Sequence, residues 1–305
     1  MTGTLELLAA FDPFATAHAG EGASSTRPYV LMDVFTDIPL EGNQLAVVTD
    51  AREVPAEEMQ RLARELKLSE TVFVLPPREG GDVRIRIFTP EAELPFAGHP
   101  VLGCAVVVGA ALDRDEVTLE TEMGPVPISL LRREGRATFG RMTQPIPSWA
   151  PYEHEAELLN ALSIPRSGLP VEVYTNGPRH VYVELESEQA VAALEPDMRA
   201  LAVLGHVEAN CFAGSGLRWK TRMFAPGLGI SEDPATGSAA GPLAVHLSRH
   251  GRIAFGEQIE IRQGEEIGRP SVLHSRCEGS EAGIDRVEVG GAAVIVARGR
   301  LLARG

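Results

Sequence analysis

Cysteine is scarce in this 305-residue chain. Its three cysteines, Cys104, Cys211 and Cys277, lie far apart and form no CxxC pair. That excludes a disulfide scaffold and a zinc knuckle and fits a reducing, cytoplasmic setting. Basic residues are outnumbered: 28 Lys and Arg stand against 42 Asp and Glu, a formal net charge of −14. The arginines are scattered singly or in pairs such as Arg132-Arg133, so no basic patch offsets that charge. Nucleic acid and anionic membranes are therefore not expected as partners. Long apolar runs are missing as well, and the run over 101–112 is too short to span a bilayer. Residues 1–27 lack the basic start, apolar centre and small-residue cleavage site of a signal peptide. They read as a flexible N-terminal tail.

What is present is the balance of an ordinary soluble protein, 44% hydrophobic and 23% charged, on a chain long enough for two domains. Most of it reads as short strands, with few helices. Alternation over 83–88, with Val83, Ile85 and Ile87 against Arg84 and Arg86, predicts a strand. Met59, Leu62, Ala63 and Leu66 fall on one face of a helix over 55–67. The segment 99–112 is apolar all round, which predicts a helix buried on every side. Gln144-Pro145-Ile146-Pro147 reads as a linker.

An internal echo organises the chain. Arg86-Ile87-Phe88-Thr89-Pro90 precedes Glu93-Leu94-Pro95-Phe96-Ala97-Gly98-His99. Later, Arg222-Met223-Phe224-Ala225-Pro226 precedes Glu232-Asp233-Pro234-Ala235-Thr236-Gly237-Ser238. Both read R-x-F-x-P, a loop, then E-x-P-x-x-G and a polar residue, and each leads into a buried-looking helix. A duplicated domain is expected.

Gly98 and Gly237 each stand just before a helix, where free N–H groups and the helix dipole favour an anion. Glycine lets a ligand approach that backbone. His99, Ser238 and Asp233 stand beside these glycines with usable chemistry. Taken singly, His99 and Ser238 would be read as helix caps and Asp233 as a turn carboxylate; at duplicated positions they read as a site. Glu70 enters the apolar strand of Val72, Phe73 and Val74, where partial desolvation would raise its proton affinity. On residues alone, a solvated loop glutamate would be the simpler reading.

These stretches, with Asp33-Val34-Phe35, Pro39-Leu40-Glu41-Gly42-Asn43, Leu68-Ser69-Glu70 and Asn176-Gly177-Pro178-Arg179-His180, resemble the PhzF-like family of phenazine biosynthesis. The match runs from about Tyr29 to the C-terminus. Two departures are the N-terminal tail and Thr71, where serine is expected. The resemblance implies an α+β, diaminopimelate-epimerase-like fold: two similar domains, each a β-barrel wrapped around a central helix, with the site in the cleft between them. The domains are expected at 28–145, completed by a C-terminal strand over 290–305, and at 146–289. It implies a homodimer and cofactor-independent isomerisation of trans-2,3-dihydro-3-hydroxyanthranilate to an aminoketone. The implied catalytic residues are Glu70, His99 and Asp233, the implied substrate-binding residues are Gly98, Gly237 and Ser238, and no metal is implied.

Three rivals remain at this stage. A two-cysteine racemase or epimerase is the first, although His99 and Ser238 stand where its cysteines would. An isomerase of another small carboxylate is the second, and a non-catalytic carboxylate-binding protein the third. The Gly-x-Gly of Gly214-Ser215-Gly216 makes no dinucleotide fingerprint.

Overall fold

A computed structural model describes residues 26–133 and 136–302. The chain divides into two compact units: residues up to Met142 together with those from Gly290 onward, and Thr143–Val289. The expected tail lies outside the described residues, except that Thr26 and Arg27 already belong to a strand.

The first unit contains β1 (Thr26–Val34), β2 (Asn43–Val48), α1 (Ala56–Leu66), β3 (Glu70–Leu75), β4 (Val83–Phe88), β5 (Glu93–Leu94), α2 (Gly98–Leu112), β6 (Glu116–Thr121), β7 (Gly124–Arg133) and β8 (Arg136–Gln144). β1 pairs antiparallel with β2, β2 parallel with β3, β3 antiparallel with β4, and β4 parallel with β6; β6, β7 and β8 follow antiparallel. The twenty-residue β17 (Gly283–Leu302) pairs with β1, from Thr26↔Leu302 to Val34↔Ala293, and with β8. The ladder therefore closes on itself, leaving few unpaired edges.

α2 runs inside this ring. Twelve successive residues, Gly98–Gly109, are buried, as the all-round apolar sequence predicts. Gly103 permits the close approach, because a Cβ there would stand 2.6 Å from Leu45 Cδ2. α1 is the amphipathic helix expected, packing Met59, Leu62 and Ala63 against Val48, Phe73 and Phe88. Met59 and Leu62 each contribute about 1.5–3 kcal/mol on full burial.

The second unit contains β9 (Ser148–Pro151), α3 (Glu155–Ala161), β10 (Glu172–Thr175), β11 (Arg179–Glu184), α4 (Glu188–Ala192), α5 (Met198–Val203), β12 (Glu208–Ser215), β13 (Arg218–Ala225), β14 (Ile230–Asp233), α6 (Gly237–Arg249), β15 (Gln258–Gln263) and β16 (Ser271–Ser280). Its pairing repeats the first: β10–β11 antiparallel, β11–β12 parallel, β12–β13 antiparallel, β13–β15 parallel, β15–β16 antiparallel. Its central helix α6 likewise buries twelve successive residues, Gly237 to Ser248.

The echoed residues do the same work in each unit. Arg86 donates to both Glu93 oxygens, at 2.6 and 2.5 Å, and lies 5.1 Å over the Phe88 ring. Arg222 donates to both Glu232 oxygens, at 2.8 Å each, and lies 4.9 Å over Phe224. This planar, two-point geometry is specific to arginine.

Sequence and structure differ in places. Gln144 is no linker residue: it ends β8, is buried, and donates its side-chain amide to Gly237 O at 2.8 Å. Elsewhere they agree: Gly214-Ser215-Gly216, read as no dinucleotide fingerprint, lies at the turn of the β12–β13 hairpin, with Gly216 at φ +55°.

Candidate active site

Glu70 begins β3, a strand whose six residues are all buried. β-Branched and aromatic residues at 72–74 favour that strand. Parallel pairing sets Glu70 opposite Leu45 of β2. The carboxylate is only 8% exposed, and His99 Nε2 lies 3.2 Å from its Oε2. His99 is the second residue of α2. The helix is preceded by Ala97 in extended conformation, with no side-chain cap. His99 therefore does not cap its helix, and its ring is turned to Glu70 instead.

The other ring nitrogen is held by a residue the sequence reading passed over. Asn43 Nδ2 lies 3.3 Å from His99 Nδ1, both side chains being buried. This contact ties the ring to β2, whose Gln44 backbone also engages it. Burial pushes His99 down to about 3, and hydrogen bonding to the Gln44 backbone opposes this only in part. His99 is thus neutral at physiological pH, so its 3.2 Å contact with Glu70 is not one between opposite charges. Gly42 aims Asn43: it sits at φ +67°, and a Cβ would stand 2.4 Å from Val34 O. Gly42-Asn43 belongs to the Pro39-Leu40-Glu41-Gly42-Asn43 stretch that carries the family resemblance, but that resemblance assigns Asn43 no role.

In the second unit Asp233 ends β14 and is 6% exposed. Thr236 Oγ1 donates to its Oδ2 at 2.7 Å. The turn-carboxylate reading of Asp233 is thus part of its geometry. Thr236, not Ser238, is the residue before α6, and it makes no cap bond to the helix. Ser238 is the second helical residue, the place His99 takes in α2.

The first turn of α6 is braced from outside. Gln144 holds Gly237 O, Asn176 Nδ2 donates to Ser238 O at 2.9 Å, and Tyr182 OH donates to Ala239 O at 2.6 Å. Pro242 explains Asn176: lacking an N–H, it leaves Ser238 O without its usual helical partner. Gly98 and Gly237 each open a helix whose first N–H groups have no acceptor within it, the arrangement that accepts a carboxylate.

The structure thus brings Glu70 and His99 together beside Gly98 in one unit, and gathers Asp233, Gly237 and Ser238 in the other. None of them lines the half-open cleft of about 1010 Å³ bordered by Arg166, Glu184, Glu188, Trp219 and Arg252. A further cluster joins Glu172, His246 and His250, whose ligand atoms approach one another within 4.8 Å. Arg249 Nη1 donates to Glu172 Oε2 at 2.7 Å, so a guanidinium already supplies the cation there. Burial alone would raise the Glu172 carboxyl, but hydrogen bonds from His246, Arg249, His250 and Tyr174 outweigh it and hold the group well below the usual range.

Comparison with known proteins agrees with this architecture. A family described as phenazine biosynthesis-like protein (PhzC-PhzF) matches residues 32–299. The chain is 53% identical over 274 residues to the trans-2,3-dihydro-3-hydroxyanthranilate isomerase of Pseudomonas fluorescens, covering 90% of this chain and 99% of that one. It is 54% identical over 272 residues to the isomerase of the same name from Pseudomonas aeruginosa, covering 89% and 98%. Among solved structures, a predicted epimerase from Pseudomonas aeruginosa superposes with a TM-score of 0.77 at 32% identity, covering 91% and 100%. With its doubled barrel-and-helix fold and a match over nearly all of its described length, the chain belongs to the PhzC-PhzF family of phenazine biosynthesis-like proteins.

Proposed function

We propose that the chain isomerises trans-2,3-dihydro-3-hydroxyanthranilate by a proton shift, with Glu70 as acid and base. The observation that carries this is the buried Glu70 carboxylate beside a buried, neutral His99; the substrate follows from the name the two Pseudomonas relatives share. Glu70 takes the hydrogen on the hydroxyl-bearing ring carbon as a proton. The electron pair spreads through the diene towards the carboxylate-bearing carbon, and Glu70 returns the proton there. The enol left behind becomes the ketone, so atoms and electrons balance without an added oxidant or reductant.

Backbone N–H groups at Gly237 and Ser238, and at Gly98, are assigned to the substrate carboxylate, where they stabilise charge as it develops. His99 and Asp233 hold the amino or hydroxyl groups. A base and hydrogen-bond donors suffice for this chemistry, so a cofactor-independent reaction is part of the proposal. So are a homodimer, to be checked by sedimentation, and a cytoplasmic setting, with which three free, buried cysteines agree.

The two-cysteine racemase reading loses its base. Cys104 and Cys211 are fully buried within α2 and β12, and burial pushes both thiols up, Cys211 to about 12. The test is to incubate purified protein with the substrate in deuterated buffer and follow its loss, the condensed products and deuterium uptake by mass spectrometry. Turnover that Glu70→Gln abolishes supports the reading. No loss of substrate with folded protein rules that substrate out.

A further inference from the structure

Gln263, the last residue of β15, is 3% exposed and has all four of its amide valences used. Its Nε2 donates to Asp233 O at 2.8 Å and to Thr236 Oγ1 at 2.9 Å. Its Oε1 accepts from Thr236 N and from Thr221 Oγ1, each at 3.2 Å. The orientation is determined by the backbone. A flipped amide would set its NH₂ against the Thr236 N–H and its oxygen against the Asp233 carbonyl.

One consequence reaches the carboxylate. Because Thr236 Oγ1 accepts from Gln263, its own proton is committed to Asp233 Oδ2, 2.7 Å away. The hydroxyl is thus a one-way donor, and it favours Asp233 in its charged form. Charged groups on the neighbouring strand are already paired: Arg222 with Glu232, and Lys220 with Glu265 and Glu266. On β15 itself Arg262 is paired with Glu188 and Glu265.

We propose that Gln263 is a positioning residue for the reaction: its amide locks the Asp233–Thr236 turn and commits the Thr236 hydroxyl proton to the Asp233 carboxylate, which it thereby aims. This rests on the reading that Asp233 handles the substrate. A satisfied network of this kind is costly to leave half-made, so Gln263→Glu, which loses the donors, and Gln263→Met, which keeps the bulk, should both disturb the turn.

The test compares pH profiles of kcat/KM in four variants, each first shown to fold by thermal unfolding. Gln263→Met and Thr236→Val should lower kcat about tenfold and move the acidic limb up by about one pH unit, the size expected for one hydrogen bond to a charged group. Thr221→Val, which touches only the far side of the amide, should leave the limb in place. Asp233→Asn separates the two claims. If it is inactive while Gln263→Met and Thr236→Val keep the wild-type profile, the role of Gln263 is overturned and that of Asp233 stands. If Asp233→Asn retains full activity, the underlying reading fails.

Discussion

The two arginine clamps are one motif used under two loads. Arg86 and Glu93 remain 24% and 29% exposed, and the spare Arg86 nitrogen rests on Met59 Sδ at 3.7 Å. Arg222 and Glu232 are each only 9% exposed, and the spare nitrogen of Arg222 donates to the carbonyls of Val191, Ala192 and Leu194. The second clamp thereby satisfies the end of α4, which is too short to stand alone. Duplication supplied the same sequence twice, and burial decided how much of the unit came to depend on it. The helix starts diverged in parallel: the first carries a side chain that faces a carboxylate, the second a small hydroxyl.

The largest expected effect tests that chemical divergence. Glu70→Gln should lower kcat by about 10²–10⁴-fold, the usual share of a general base, with KM little changed. Ser238→Ala should cost far less, and steady-state kinetics on both variants would show it. Equal losses would mean that the units share the proton chemistry. Next comes structural load. Arg222→Met should destabilise by about 3–5 kcal/mol, because it strands a buried Glu232 and three carbonyls. Arg86→Met should cost only ~1 kcal/mol after allowance for solvent screening. Urea denaturation of the two variants measures the gap.

Acid separates the units in a third way. His99 is buried neutral, with its folded value near 3 lying below its ordinary 6.5. The unfolded state therefore binds the extra proton first, and stability falls as pH drops below about 6.5, by up to ~1.4 kcal/mol per pH unit until the folded value is reached. Glu172 is depressed from 4.5, so its contribution is full above that pH and fades only below it. Melting temperature against pH should show the earlier decline flattened by His99→Gln and the later one by Glu172→Gln. The smallest effect concerns the helix prolines. Pro100 lies in the first turn of α2, where its missing N–H removes no helical bond, whereas Pro242 needs Asn176. Asn176→Ala should cost about 1–3 kcal/mol by leaving Ser238 O unsatisfied, read from the shift in denaturation midpoint.

Much of the fold was legible because its signals are local. The alternation at 83–88, the apolar stretch behind Gly98 and the repeated R-x-F-x-P all survive in a linear reading. β16 did not. Its buried face is Ser271, Leu273, Ser275 and Cys277, while Val272 is exposed, so small polar residues point inward and no apolar alternation marks the strand. In β17, Gly290 and Gly291 interrupt the apolar pattern, yet Gly291 is where the strand passes Phe35, whose ring would lie 2.3 Å from a Cβ. At the site, Glu70 and the two glycines were found through family resemblance and duplication. Asn43, Gln144 and Gln263 were missed because a buried amide acquires meaning only from partners distant in sequence, 56 residues away for Asn43 and 93 for Gln144.

The long strand β17 also sets an order of events during synthesis. β1 pairs on one side with β2, which follows it directly, and on the other with residues 293–302. A ribosome releases the whole second unit before it releases that partner. The first barrel to be translated is therefore the last to close, and β1 waits with one row of hydrogen-bonding groups unpaired while some 250 residues are added. A chain ending near residue 289 would leave β1 of the first unit without this partner strand.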